Sequence, residues 1–109
     1  MARDALLTAI LVGLLGLSCA SWRAAQLYQK GTAALDVGEV QRAVTDLEQA
    51  SRLAPAASEI RNHLGLAYLA AGDERAARDA FERAVALDCE NGAARRNLQA
   101  IGVHSAERP

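Results

Sequence analysis

Apolar residues run almost unbroken from Ala5 to Ala20 (ALLTAILVGLLGLSCA), with Thr8 and Ser18 as the only polar side chains and no charge at all. A surface helix needs one polar face, so a run that is apolar on every side belongs in a protein core or at a membrane. After Trp22 the pattern changes. Apolar residues recur three and four apart, the spacing of amphipathic helices, and the recurrence breaks at Gly38-Glu39, at Pro55, at Ala71-Gly72-Asp73 and around Cys89. This predicts short helices joined by tight turns. Composition agrees: Ala occupies 25 of 109 positions and aromatic residues only 4%, which favours closely packed helices and excludes an all-β fold.

The apolar segment has three readings, all open on sequence. Arg3 and the terminal amine, partly offset by Asp4, precede a thirteen-residue apolar core, Ala5 to Leu17, in the proportions of an export signal. Leu15-Gly16-Leu17-Ser18-Cys19 resembles the lipobox of bacterial lipoproteins, which would make Cys19 a lipidated N-terminus; Gly16 and Leu17 depart from that pattern. Ser18-Cys19-Ala20 also reads as a small-x-small cleavage site that releases a chain beginning at Ser21. Left uncut, the eighteen residues Ala5 to Trp22 extend to about 27 Å as a helix, close to the thickness of a hydrocarbon core. Trp22-Arg23 would then mark the interface, although Arg3 and Arg23 balance across the segment. Residues 1–20 are accordingly a signal peptide or a membrane anchor.

Displacing the chain against itself by thirty-four residues brings Gly31 onto Gly65, Ala33 onto Ala67, Leu35 onto Leu69, Gly38 onto Gly72, Ala43 onto Ala77, Glu48 onto Glu82, Ala50 onto Ala84 and Leu53 onto Leu87. A fixed period of this size signals stacked helical hairpins, here units 24–57 and 58–91. A glycine inside a helix costs about 1 kcal/mol relative to Ala, so Gly31 and Gly65 at matching places point to close helix packing, expected against the small residues Ala43 and Ala77. Residues 92–102 begin a third first-helix, with Leu98 in register with Leu64, and read as a capping helix with Arg95, Arg96, Asn97 and Gln99 on its outside. Residues 103–109 are expected to be a flexible tail.

In unit two the spacing Leu64-Gly65-x-x-Tyr68, Gly72-Asp73, Ala77-x-x-x-Phe81-x-x-Ala84, Leu87-Asp88 resembles the tetratricopeptide repeat. Unit one follows it through Leu27, Gly31, Gly38-Glu39, Ala43, Leu47, Ala50 and Pro55, departing at Lys30 and Ala34; unit two departs at Cys89. The resemblance implies an all-α fold: a short antiparallel helical-hairpin solenoid of two repeats plus a capping helix, following the N-terminal apolar helix or signal segment. Two repeats and a cap lie at the lower limit for an independent array. A protein partner, or a second copy stacked edge-on as a homo-oligomer, would cover the exposed ends.

No catalytic set is visible. His63 and His104 have no motif around them, and there is no phosphate-binding glycine loop and no HExxH. The two cysteines, Cys19 and Cys89, lack metal-ligand spacing, so neither a metal nor another cofactor is expected. A net charge of -1 provides no field to draw the chain onto nucleic acid. The alternating charges at Asp73-Glu74-Arg75, Arg78-Asp79 and Glu82-Arg83 read as a solvated helix face.

What remains is a surface. The resemblance implies a concave groove lined by the first helix of each hairpin, formed here by Tyr28, Thr32, Leu35, Glu59, Asn62, Leu66, Leu69 and Arg96. Some members of the family hold a peptide carboxylate with a set of Lys and Asn residues on this face, for which only Asn62 and Arg96 are candidates here. The expected function is a membrane-tethered protein-protein interaction adaptor of the bacterial cell envelope, facing the periplasm, and not an enzyme. The alternative is a structural subunit of a larger complex, held as a single-pass inner-membrane protein by an uncleaved helix; release as a secreted protein is the third setting.

Overall fold

Gly38 and Gly72 adopt positive φ, +78° and +80°, the left-handed conformation that ends a helix at little cost only for glycine. Around them the backbone closes identically. Gly38 N donates to Leu35 O and Glu39 N to Ala34 O; thirty-four residues on, Gly72 N donates to Leu69 O and Asp73 N to Tyr68 O. These turns divide each hairpin into two helices. The computed structural model describes residues 2–107, with the side chains of Leu14, Leu15, Leu17 and Ser18 outside the described ones. Its helices are α1 (Ala2–Asp36), α2 (Val40–Leu53), α3 (Ser58–Ala70), α4 (Glu74–Leu87) and α5 (Gly92–Glu107), with no strand among the described residues. The bounds of α2 recur in α4, and the end of α1 in α3, each displaced by thirty-four residues.

Each helix packs against its neighbour in sequence, and the first helices also touch one another, α1 with α3 and α3 with α5. The second helices stand further apart: no Cα of α2 lies within 8 Å of one of α4. The stack is therefore closed on the side of α1, α3 and α5 and opens on the other. Ala34, Ala43, Leu47, Leu64 and Ala67 form one buried cluster and Ala77, Phe81 and Ile101 another, with Tyr68 packed against both.

The glycine notches hold large side chains, which corrects the expectation that Gly31 and Gly65 oppose Ala43 and Ala77. A Cβ at Gly65 would lie 2.4 Å from Phe81 Cε1, and one at Gly31 would lie 2.7 Å from Leu47 Cγ. Phe81 and Leu47 are the largest fully buried side chains. Each glycine is the floor of a hole, and a residue four positions beyond the alanine is the knob that fills it. The alanines are completely buried as well, serving the same close approach from adjacent positions.

The last helix runs to Glu107, past Gly102, where the sequence pattern stops it, so residues 103–107 are helical and not an unstructured tail. Ser105 accounts for the extension. Its hydroxyl accepts from Arg78 Nη2 at 2.8 Å and lies 2.7 Å from Glu74 Oε1 and 3.0 Å from Ile101 O, its acceptors. Ile101, at 4% exposure, anchors the same helix to the core.

Helix α1 is continuous from the apolar segment into the first repeat, without a linker at residues 21–24. Among its described side chains the first buried one is Ala24; Leu6, Leu7, Ile10, Leu11, Val12 and Trp22 are all more than half exposed. Among the described residues no helix is long and apolar enough to cross a membrane; part of the segment read as an anchor, Leu14, Leu15, Leu17 and Ser18, lies outside those described side chains.

Candidate functional site

The closed side of the stack carries a polar cluster where α1 meets α3. Tyr28 reaches across from α1, its hydroxyl donating to Glu59 Oε1 at 3.0 Å with His63 Nδ1 at 3.2 Å. The Tyr28 and His63 rings meet edge to face, centroids 5.2 Å apart. His63 follows Glu59 by one helical turn and its Nδ1 also lies 3.1 Å from the Glu59 carbonyl oxygen. A proton on Nδ1 lets the imidazole donate to the phenol while the phenol donates onward to the carboxylate. Burial, the hydrogen bond to Glu59 and the charge of Glu59 together push the Tyr28 hydroxyl up to about 12, so it remains a donor.

A second polar contact joins α3 to α5, where Asn97 Nδ2 donates to Asn62 Oδ1 at 2.9 Å. Between these two contacts opens a shallow cavity of about 300 Å³ lined by Glu59, Asn62, His63, Asp88 and Asn91. Its rim is fixed by Ser58, whose hydroxyl donates to Ala84 O and accepts from Asn91 Nδ2, both at 2.8 Å. Asn91 also caps α5 by accepting from Ala94 N at 3.1 Å. Loop and helix start are thereby locked to the neighbouring hairpin.

Among the groove residues expected from sequence, the structure brings Tyr28 and Glu59 into direct contact. Thr32 lies one turn along α1 and turns its hydroxyl back to Tyr28 O. Leu35 packs against the first cluster and Leu66 against the second, so both serve the core more than the groove. Asn62 is buried at 4% exposure and committed to Asn97. Leu69 is exposed and lines a small apolar pocket of about 220 Å³ with Ala100, Ile101 and His104. Arg96 is exposed on α5, with Nη1 close over Gly92. Cys19 and Cys89 are exposed free thiols. His63, Asn91 and Asn97 complete the cluster without having been among the expected groove residues. Among the described residues no group of three or more His, Cys, Asp or Glu side chains could hold a metal ion.

A tetratricopeptide repeat family model matches residues 28–100. The chain belongs to the tetratricopeptide repeat family. A TPR repeat-containing protein of Pseudomonas aeruginosa is similar, 45% identical over 62 residues that make up 57% of this chain and 24% of that protein. The match thus spans about a quarter of the relative's length. In this tetratricopeptide chain the knobs are Leu47 and Phe81, the holes are Gly31 and Gly65, and the interaction role of such repeats falls to surfaces that the knobs leave free.

Proposed function

We propose that the chain is a membrane-tethered adaptor of the bacterial cell envelope, facing the periplasm, whose inner face at α1, α3 and α5 receives a protein partner while its N-terminal segment holds it at the bilayer. The observation that supports tethering is the contrast along α1: apolar side chains from Leu6 to Val12 are exposed on all sides of the helix, whereas among the described side chains the first buried one is Ala24. Covering that stretch needs lipid or protein. Cys19 is the site of attachment if the segment is cleaved and acylated there. The unbroken path of α1 from Ala2 to Asp36 favours a second reading, in which the helix stays attached and the chain is a structural subunit of a larger complex.

The intact mass of the chain extracted from membranes distinguishes these readings, since an acylated Cys19, a free Ser21 and a retained Met1 give different masses. Cys19→Ser is expected to move the protein out of the membrane fraction. Full-length chain in the soluble fraction would overturn tethering in either form. For the binding face, a photoreactive residue at Thr32 is expected to cross-link to a partner in cells and one at Glu82 is not. Adducts from Glu82 alone would place the partner on the outer side.

A further inference from the structure

The open side of the stack holds a charged pocket of about 450 Å³ between α2 and α4, with α3 along its floor. Five of its lining residues are charged: Glu48, Arg52, Arg61, Asp79 and Arg83. Both carboxylates are engaged. Glu48 Oε1 accepts from the Tyr68 hydroxyl at 2.5 Å, and Asp79 Oδ2 pairs with Arg83 Nε at 3.2 Å. Among the described residues no carboxylate lies within ion-pair distance of Arg52 or Arg61, and the Arg61 Nε–H is buried with no hydrogen-bond partner. A buried donor left unpaired is unfavourable, and more so on a charged group.

The repeat makes Arg61 unusual. Thirty-four residues earlier the same position on α1 is Leu27, half-buried. Unit two therefore carries a guanidinium where unit one packs a leucine, and the separation of α2 from α4 leaves room beside it. From these observations we infer that this pocket binds a carboxylate from an Asp or Glu side chain of a protein partner, on the side of the molecule opposite the proposed groove. Arg61 and Arg52 are the groups that receive it. Guanidinium donors match the geometry of a carboxylate. The five charged lining residues sum to one positive charge, which suits a monoanion better than a doubly charged phosphate. Leu64 and Ala80 in the same wall offer apolar contact to the methylenes behind the acid.

Nitrogen-15 NMR of the full chain in detergent micelles tests this directly, because each arginine Nε–H gives its own resonance and Arg61→Lys identifies that of Arg61. Capped glutamate is expected to move the Arg61 signal with saturation in the millimolar range, and capped glutamine to leave it in place. Arg61→Leu, which installs the residue of unit one, is expected to keep the melting temperature and to weaken capped-glutamate binding, read from the remaining amide shifts, at least tenfold. Should Arg61→Leu fail to fold, Arg61→Lys decides, with an expected loss of at least threefold. The inference is overturned if the Arg61 signal ignores capped glutamate, if capped glutamine moves it equally, or if neither variant weakens binding. Saturation by inorganic phosphate at lower concentration than by capped glutamate would overturn the choice of a carboxylate.

Discussion

Gly65→Ala sets two opposed effects against each other, and the structure decides between them. Replacing a helical glycine with alanine ordinarily stabilises by about 0.5–1 kcal/mol, since the unfolded chain loses freedom. At this position the new methyl carbon would lie 2.4, 2.6 and 2.8 Å from three atoms of the Phe81 ring, whereas carbon atoms in contact prefer about 3.5–4.0 Å. Ring and helix must separate by more than about 1 Å. Phe81 is fully buried among Ala77, Ile101 and Leu66, so its retreat disturbs both α4 and α5. Overpacking of this kind costs about 1–3 kcal/mol, and at a contact so short the upper half of that range applies, leaving a net loss of about 1–2 kcal/mol. For a repeat body of this size that lowers the melting temperature by about 5–15 °C, read by circular dichroism at 222 nm. The cause is steric, so Phe81→Leu should make room: in a double-mutant cycle the pair is expected to be more stable than the sum of the single changes by about 1 kcal/mol or more. Gly31→Ala, facing Leu47 at 2.7 Å and two further atoms beyond 3 Å, should cost less. Additive behaviour of Gly65→Ala with Phe81→Leu, or a melting temperature at or above that of the parent, would refute the notch.

Helix capping differs between the hairpins and gives a second expectation. Asp73 caps α4 by accepting from Ala76 N at 3.0 Å, whereas Glu39 makes no side-chain cap on α2. Asp73→Ala should therefore lose about 1 kcal/mol and Glu39→Asp gain a few tenths to about 1 kcal/mol, both measured by urea denaturation. Alkaline pH provides a third. The chain's two tyrosines, Tyr28 and Tyr68, are both raised to about 12, first by burial and then by their bonds to Glu59 and Glu48. Above pH 10 the unfolded chain gives up phenolic protons that the folded chain retains, so stability is full below about pH 10 and falls as pH rises toward 12. Phenolate absorbance at 295 nm should rise with unfolding in that window. Tyr28→Phe and Tyr68→Phe should each flatten the slope, and ordinary titration near pH 10 in the folded protein would contradict the burial.

Much of the architecture is legible in the residues because a thirty-four-residue register aligns glycines with glycines. Gly38 and Gly72 share a turn geometry that nothing but glycine adopts readily, and that constraint is written in residue type. The contents of the notches are not, since periodicity along one helix identifies a face without saying which side chain crosses from the next. The thirty-four-residue register sets Gly65 against Ala77, yet Phe81 fills the hole. The groove fared unevenly for the same reason. Tyr28 and Glu59 meet because α1 and α3 touch, but Leu66 and Asn62 lie where α5 covers them, and the spacing within α3 is blind to α5. The change from Leu27 to Arg61 is visible in the repeat comparison; that its Nε–H is buried is a property of the assembled helices alone. The run of α5 to Glu107 depended on Ser105 meeting Arg78 and Glu74 from another helix, a long-range contact with no local signature.

An unbroken α1 converts sequence length into angle. Each residue of an α-helix turns the chain by about 100° and advances it about 1.5 Å, so with no linker between the apolar segment and Ala24 the heading of the repeat body relative to residues 5–20 is fixed by helical phase. One residue inserted at 21–23 would swing every face of the stack by more than a quarter turn, three or four would bring it nearly back at a greater distance, and a pair of glycines would uncouple its heading from the apolar segment. The helix is in this sense an indexed shaft: which surface of the protein looks where is set by the phase of α1 ahead of Ala24, the first buried residue among its described side chains.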